Sequence, residues 1–234
     1  MEEKVTLPTL QAMKREGRKI VGVVAWDTPT AQILDRAGVD IVSVGDSVGV
    51  NLWGRESEAD VTLDEILLVC RAVRLGVGRA LVSCDLPMRA ADVRAARRLV
   101  EDGGAEIVKA EGADQVAALA DAGIPVFAQL DGASGTEDEL VRQAKRFEGA
   151  GAALLDFRHS GPDIGPKVVE AVAIPVIGGL GGGPWLDGRM RMIHRAIGYG
   201  ASTSGAYANV AQITHDAVAA YADDVRKGRQ VRGG

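Results

Sequence analysis

Cysteine is nearly absent: Cys70 and Cys84 are the two in 234 residues. They are too few for a disulfide framework and have no metal-ligand spacing. Cys70 sits in a helical pattern, and Cys84 ends an apolar run as a small buried hydrophobe. Histidine is nearly as scarce, and His159, His194 and His215 do not cluster in sequence. No uninterrupted apolar stretch approaches membrane-spanning length, and the start of the chain, charged from Glu2 to Lys4, has no secretory apolar core. No membrane partner is expected, and the protein reads as soluble and cytoplasmic. Charge of one sign is also missing in bulk: 27 basic and 32 acidic residues are well mixed, with a net charge of -5, which excludes a broad basic surface for nucleic acid. No linker or low-complexity segment interrupts the chain, so one domain over residues 1–234 is expected.

What the chain does have is 47% hydrophobic residues, 30 glycines and a repeating alternation of short apolar runs with helical patterns. A lead-in helix is expected over 6–17, placed to plug the bottom of a barrel. Strands are expected at 20–26, 40–45, 80–84, 105–109, 125–130, 152–157 and 174–178. Helical segments fall between them. Asp27-Thr28-Pro29-Thr30 supplies a helix cap, and Thr62 with Glu65 matches a capping box. The eighth unit is read as a helix over 187–196 and a short strand within 197–204. Eight βα units in this length favour an α/β fold, a single (β/α)8 TIM barrel with a short N-terminal helix. A doubly wound sheet would show a phosphate loop after its first strand, and Trp26-Asp27-Thr28-Pro29 is not one.

Barrel chemistry sits beyond the carboxyl ends of the strands. There the sequence places Asp27, Asp46, Ser47, Asp85, Lys109, Glu111, Gln129, Asp156 and Arg158. Asp46, Asp85 and Glu111 are hard oxygen donors suited to Mg2+ or another divalent cation, which uses one or two carboxylates and leaves room for substrate oxygens. Such an ion could hold a 2-oxo acid and polarise its ketone toward an enolate. The same carboxylates could instead cap helices or pair with Lys109 and Arg158. Lys109 could be an amine nucleophile, an anion binder or a counter-ion for Glu111; a carboxylate two residues away favours the charged form. Arg158 suits a bidentate grip on a carboxylate, or an ion pair with Asp156, which shares its strand face. His159, at the same strand end, is a candidate for proton transfer. The glycine run 178–183 could bind an anion through backbone N–H groups or simply turn, and Trp26, Trp53 and Trp185 could line an apolar pocket or pack a lid.

Several motifs occur in order: Trp26-Asp27, Val44-Gly45-Asp46-Ser47-Val48-Gly49, Val61-Thr62, Asp85-Leu86-Pro87, Val108-Lys109-Ala110-Glu111-Gly112, Gly123-Ile124-Pro125-Val126 and Ala173-Ile174-Pro175-Val176-Ile177-Gly178. Taken together they resemble the ketopantoate hydroxymethyltransferase (3-methyl-2-oxobutanoate hydroxymethyltransferase) family of the phosphoenolpyruvate/pyruvate barrel superfamily. The resemblance implies a (β/α)8 barrel assembled as a homo-oligomer, usually a decamer. It also implies Mg2+, and methylenetetrahydrofolate as donor of a hydroxymethyl group to a 2-oxo acid. It makes Asp46 and Asp85 metal ligands, Ser47 and Lys109 contacts to the oxo acid, and puts Glu111 near the metal through water.

The departures are specific. The family's catalytic glutamate at the end of strand six aligns with Arg158, and arginine cannot act as a base at neutral pH. The strand-five histidine is Gln129, the glycine-rich segment after it is shortened to about 131–138, and the segment after strand eight is replaced around Gly205-Ala206-Tyr207. These changes favour a step that forms the enolate without removing a carbon-bound proton, either retro-aldol cleavage or decarboxylation. Asp156 and His159 remain the candidate bases. Hydroxymethyl transfer with Asp156 in place of the glutamate, and a non-catalytic carboxylate-binding homologue, are the alternatives.

Overall fold

Ile41-Val42-Ser43-Val44 is buried at every position, the pattern of a parallel strand covered on both faces. Seven further runs join it. The structure is a computed structural model that describes residues 3–179, 181–200 and 203–231. Its strands are β1 (Ile20–Val24), β2 (Ile41–Val44), β3 (Leu81–Asp85), β4 (Ile107–Glu111), β5 (Val126–Asp131), β6 (Ala152–Arg158), β7 (Val176–Gly178) and β8 (Gly188–Met192). They close in sequence order into a barrel with parallel neighbours. The N–H of Ile20 donates to the carbonyl of Asp187 at 2.9 Å where the ends of the sheet meet.

The helices are α1 (Leu7–Arg15), α2 (Thr28–Arg36), α3 (Val48–Asn51), α4 (Leu63–Gly76), α5 (Val93–Glu101), α6 (Ala113–Asp121), α7 (Glu137–Gly149), α8 (Gly165–Ala171), α9 (Ile193–Ile197) and α10 (Val210–Arg226). Their starts are written in the sequence. Asp27 caps α2 by accepting the N–H of Thr30 at 2.8 Å, and Thr62 with Glu65 forms the expected capping box on α4. Among the described residues no helix is long and apolar enough to cross a membrane.

One inward side chain from each strand builds the barrel floor: Ile20, Ile41, Leu81, Ile107, Phe127, Leu154, Ile177 and Met190. Leu10 and Met13 of α1 pack against this layer from below, so α1 is the expected plug. Gly22 makes the fit possible, because a Cβ there would stand 2.7 Å from the sulfur of Met190.

The eighth unit corrects the sequence reading. Residues 188–192 are a strand, so the helix expected over 187–196 is confined to its end as α9, and the described residues of 198–204 form no strand where one was expected. Residues 201 and 202 of that expected strand lie outside the described residues. Leu186, Met190 and Ile193 have helical spacing, but Gly188, Arg189 and Met190 alternate buried, exposed, buried, and the strand period governs. Asp187 is not a helix cap either: its carboxylate accepts the N–H of Val176 at 2.8 Å and pairs with Lys14 at 3.0 Å.

The chain divides into two compact units, Met1–Met190 and Arg191–Gly234. In the second, Gly198 ends α9 in the left-handed region (φ 65°), and Tyr207 donates its N–H to Ala196 at 2.8 Å. No residue of α10 is buried in this chain; Ile213, Val218, Tyr221 and Val225 are exposed.

Candidate active site

In a strand, every second side chain faces the same way, so the inward positions can be followed upward from the barrel floor. Two residues above it lie Gly22, Ser43, Ser83, Lys109, Gln129, Asp156 and Gly179; two higher on β3, β4 and β6 lie Asp85, Glu111 and Arg158. The interior thus changes from aliphatic to polar within one layer. Ser83 donates to the Ser43 hydroxyl at 2.8 Å, a buried bond that seals this boundary.

A cavity of about 440 Å³ opens above it. Asp46, Asp85, Lys109, Glu111, Gln129 and Arg158 line it together with Glu58, Gln115 and the apolar Leu86, Met88, Ala91 and Ala110. Six residues singled out in the sequence therefore share one cavity.

The strongest contact joins β4 to β6. Lys109 Nζ lies 2.7 Å from Oδ2 of Asp156 and 3.8 Å from Oδ1 of Asp85, over the ring of Phe127 at 5.2 Å. Burial works against the ammonium, but Asp156 and Asp85 outweigh it and raise the pKa of Lys109. The amine stays charged, which disfavours its use as a nucleophile. Asp156 is itself buried; Lys109, Arg158 and the N–H of Gly179 overcome the burial and hold its carboxyl below the usual range. Arg158 Nε donates to the same Asp156 Oδ2 at 3.3 Å, and Gly179 N–H donates to Oδ1 at 3.3 Å. Both carboxylate oxygens are occupied.

Around Asp46 the carboxylates crowd one another. Burial, then Asp85 and Glu58, push the pKa of Asp46 up to about 7, against the pull of Lys109 and Arg158. Oδ1 of Asp85 is buried and has no hydrogen-bond partner among the described residues. Gly45 leaves a cradle beside the other oxygen of this carboxylate: a Cβ at that position would stand 2.7 Å from the Ser47 hydroxyl and 3.4 Å from Asp85 Oδ2. Two carboxylates, an oxygen without a hydrogen bond and a hydroxyl around a space fit a hard divalent cation. Glu111 stands apart from that pair, accepting a hydrogen bond from Gln129 Nε2 at 2.6 Å. Among the described residues no three His, Cys, Asp or Glu side chains converge as a ligand cluster. The cradle therefore offers two carboxylates, with remaining positions left for water or ligand oxygens.

Other candidates lie elsewhere. Asp27 spends its carboxylate on Thr30, with Oδ2 accepting the hydroxyl at 2.8 Å. His159 adopts φ 51° and is exposed, with Nδ1 2.8 Å from Asp131, and it does not line the cavity. His194 packs near Tyr199 and His215 pairs with Asp216. None of the tryptophans lines the cavity: Trp26 is buried with Nε1 on the Gly45 carbonyl at 3.2 Å, Trp53 lies under Arg55, and Trp185 donates to Ser160 at 2.9 Å. Of the glycine run, Leu180 lies outside the described residues, while Gly179 serves Asp156. Glu58 was missed because its loop has no period. Ser57 caps its short turn, and Arg55 fixes the loop by binding the Asp60 carbonyl at 2.7 Å and the Glu65 carboxylate.

The model of the family described as ketopantoate hydroxymethyltransferase matches residues 4–137 and 129–230, two stretches that overlap over 129–137. The 3-methyl-2-oxobutanoate hydroxymethyltransferases of Thermoanaerobacter sp. (strain X514) and Moorella thermoacetica (strain ATCC 39073 / JCM 9320) are each 35% identical to the chain, covering 97% of it and 93% and 95% of their own lengths. The structure of phosphonopyruvate hydrolase in complex with oxalate and Mg++ superimposes with a TM-score of 0.63 at 16% identity, covering 95% of this chain and 88% of that one. 2,3-dimethylmalate lyase, a PEP mutase/isocitrate lyase superfamily member, gives 0.66 at 14% identity, covering 97% and 89%. At such identities the structural likeness speaks for the barrel alone.

Proposed function

Because this chain belongs to the ketopantoate hydroxymethyltransferase family and is an enzyme of carbon-carbon bond chemistry, we propose that it cleaves a 2-oxo acid by retro-aldol or decarboxylation, with a divalent cation such as Mg2+ held by Asp46 and Asp85. The observation that carries this reading is Asp85, whose buried Oδ1 has no hydrogen-bond partner among the described residues and whose Oδ2 lies by the cradle left by Gly45. The cation, when bound, supplies Lewis-acid polarisation of the ketone and stabilises the charge that develops on its oxygen. The chain's own residues supply position and field. Ser47 contacts the oxo acid from the cradle. Lys109, kept charged by Asp156, directs a fixed positive charge at the anion forming over the barrel core. Glu111, held by Gln129, would reach a cation at Asp46 and Asp85 through water. Arg158 takes the place where the family has its base, and Asp156 is committed to two cations. Neither is free to remove a proton from carbon, which favours breaking a carbon-carbon bond as the first step: decarboxylation needs no base, and in retro-aldol cleavage the hydroxyl proton passes to water.

The test is carbon acidity. In D2O with Mg2+, the enzyme should leave the C3 proton of 3-methyl-2-oxobutanoate unexchanged in the proton NMR spectrum while cleaving a 4-hydroxy-2-oxo acid or decarboxylating a 3-carboxy-2-oxo acid. Rapid C3 exchange would overturn the reading. It would favour hydroxymethyl transfer from methylenetetrahydrofolate, a second reading supported by 35% identity to enzymes of that name. In that case Asp156 would have to release Lys109 and Arg158 to accept the proton. A homo-oligomer, up to the decamer, belongs to the same proposal and is supported by the apolar residues that α10 exposes; light scattering that gives a monomer would contradict it.

A further inference from the structure

We infer that the substrate carries a second carboxylate, remote from its oxo-acid end, and that Arg158 is the residue that selects it. The inference deepens the 2-oxo acid reading and rests on it. In an eight-stranded barrel closed in sequence order, β6 lies diametrically across from β2, four strands away in either direction. Asp46 follows β2 and Asp85 ends the adjacent β3, whereas Arg158 ends β6 and lines the same cavity. A 2-oxo acid anchored through its oxo and carboxylate oxygens in the cradle of Gly45, Ser47 and Asp85 therefore points its far end toward Arg158. The guanidinium is available for it. Its Nε reaches Asp156, and Arg158 makes no other hydrogen bond or ion pair among the described residues. Asp156 Oδ2 is shared with Lys109, which Asp85 also holds at 3.8 Å, so the terminal nitrogens of Arg158 are the part of this cluster with no carboxylate partner among the described residues. A free terminal fork matches a carboxylate in planar geometry.

Matched ligands decide the matter without turnover: 2-oxoglutarate against 2-oxopentanoate, and 2-oxoadipate against 2-oxohexanoate, titrated calorimetrically into the protein with saturating Mg2+. At least one diacid should bind about 10–100-fold more tightly than its monoacid partner, the range of one charged hydrogen-bonded contact. In Arg158→Gln that preference should fall below about threefold, with monoacid affinity little changed. Arg158→Lys, which keeps charge but loses the fork, should retain part of it, and circular dichroism checks both folds. The wild-type comparison stands even if neither variant folds. Equal binding within both pairs overturns the inference alone. A variant that weakens monoacids as much as diacids also overturns it, because it places Arg158 on the shared carboxylate. Absence of binding by all four ligands overturns the 2-oxo acid function as well.

Discussion

Lys109 on β4 and Asp156 on β6 meet at 2.7 Å, both buried, below the mouth of the barrel. The pair spans β5 and fixes a positive charge beneath the cavity. Removing one partner of a buried pair leaves the other charge uncompensated, which typically costs about 3–5 kcal/mol. Asp156→Asn should fall toward the lower end, near 3 kcal/mol, because Asp85 lies 3.8 Å from the ammonium and takes up part of the charge. Urea denaturation measures it, and a loss under about 1 kcal/mol would mean that the pair is not what holds Lys109.

Gly45 gives a sharper test of the cradle than an alanine scan of its walls. Gly45→Ala puts a methyl 2.7 Å from the Ser47 hydroxyl, which can rotate away, so the cost appears in the site more than in the fold. Overpacking of this kind is worth about 1–3 kcal/mol. Calorimetric binding of a 2-oxo acid with Mg2+ should weaken by about tenfold, whereas unchanged affinity would remove Gly45 and Ser47 from the site.

The loop that carries Glu58 to the rim predicts an acid-sensitive stability. Arg55, then the backbone and hydroxyl of Thr62, lower the pKa of Glu65 to about 2 from an ordinary 4.5. A depressed carboxylate stabilises the fold above its unfolded value, so this contribution is complete above about pH 4.5 and lost as pH falls toward about 2. Glu65→Gln should flatten the dependence of the thermal midpoint across that window and leave it parallel to wild type at higher pH. An unchanged acid limb would show that the clamp does not form in solution.

How far these features could be read from the sequence depended on period and chain punctuation. Asp85, Lys109, Glu111 and Arg158 were legible because each ends an apolar strand run, and period two turns that position into an inward direction. Caps such as Asp27 and Thr62 were legible because their chemistry is local. β8 was not, since Met190 alone carries its buried apolar side chain between arginines while Leu186, Met190 and Ile193 imitate a helix face. Glu58 and Gln115 were not, because a loop or helix residue reaches the cavity only through packing. Nor could spacing tell that Asp156 would be consumed by Lys109 and Arg158 together, or that His159 would turn to Asp131.

The most direct test of the site is calorimetric titration of Mg2+, with oxalate present, into the wild-type protein, Asp46→Asn and Asp85→Asn. Loss of a direct ligand should weaken Mg2+ by more than the roughly 10–100-fold that mutation of outer partners alone commonly produces, with each variant still folded. Wild-type protein that takes up no Mg2+, or variants that bind it as tightly as wild type, would contradict Asp46 and Asp85 as the metal pair.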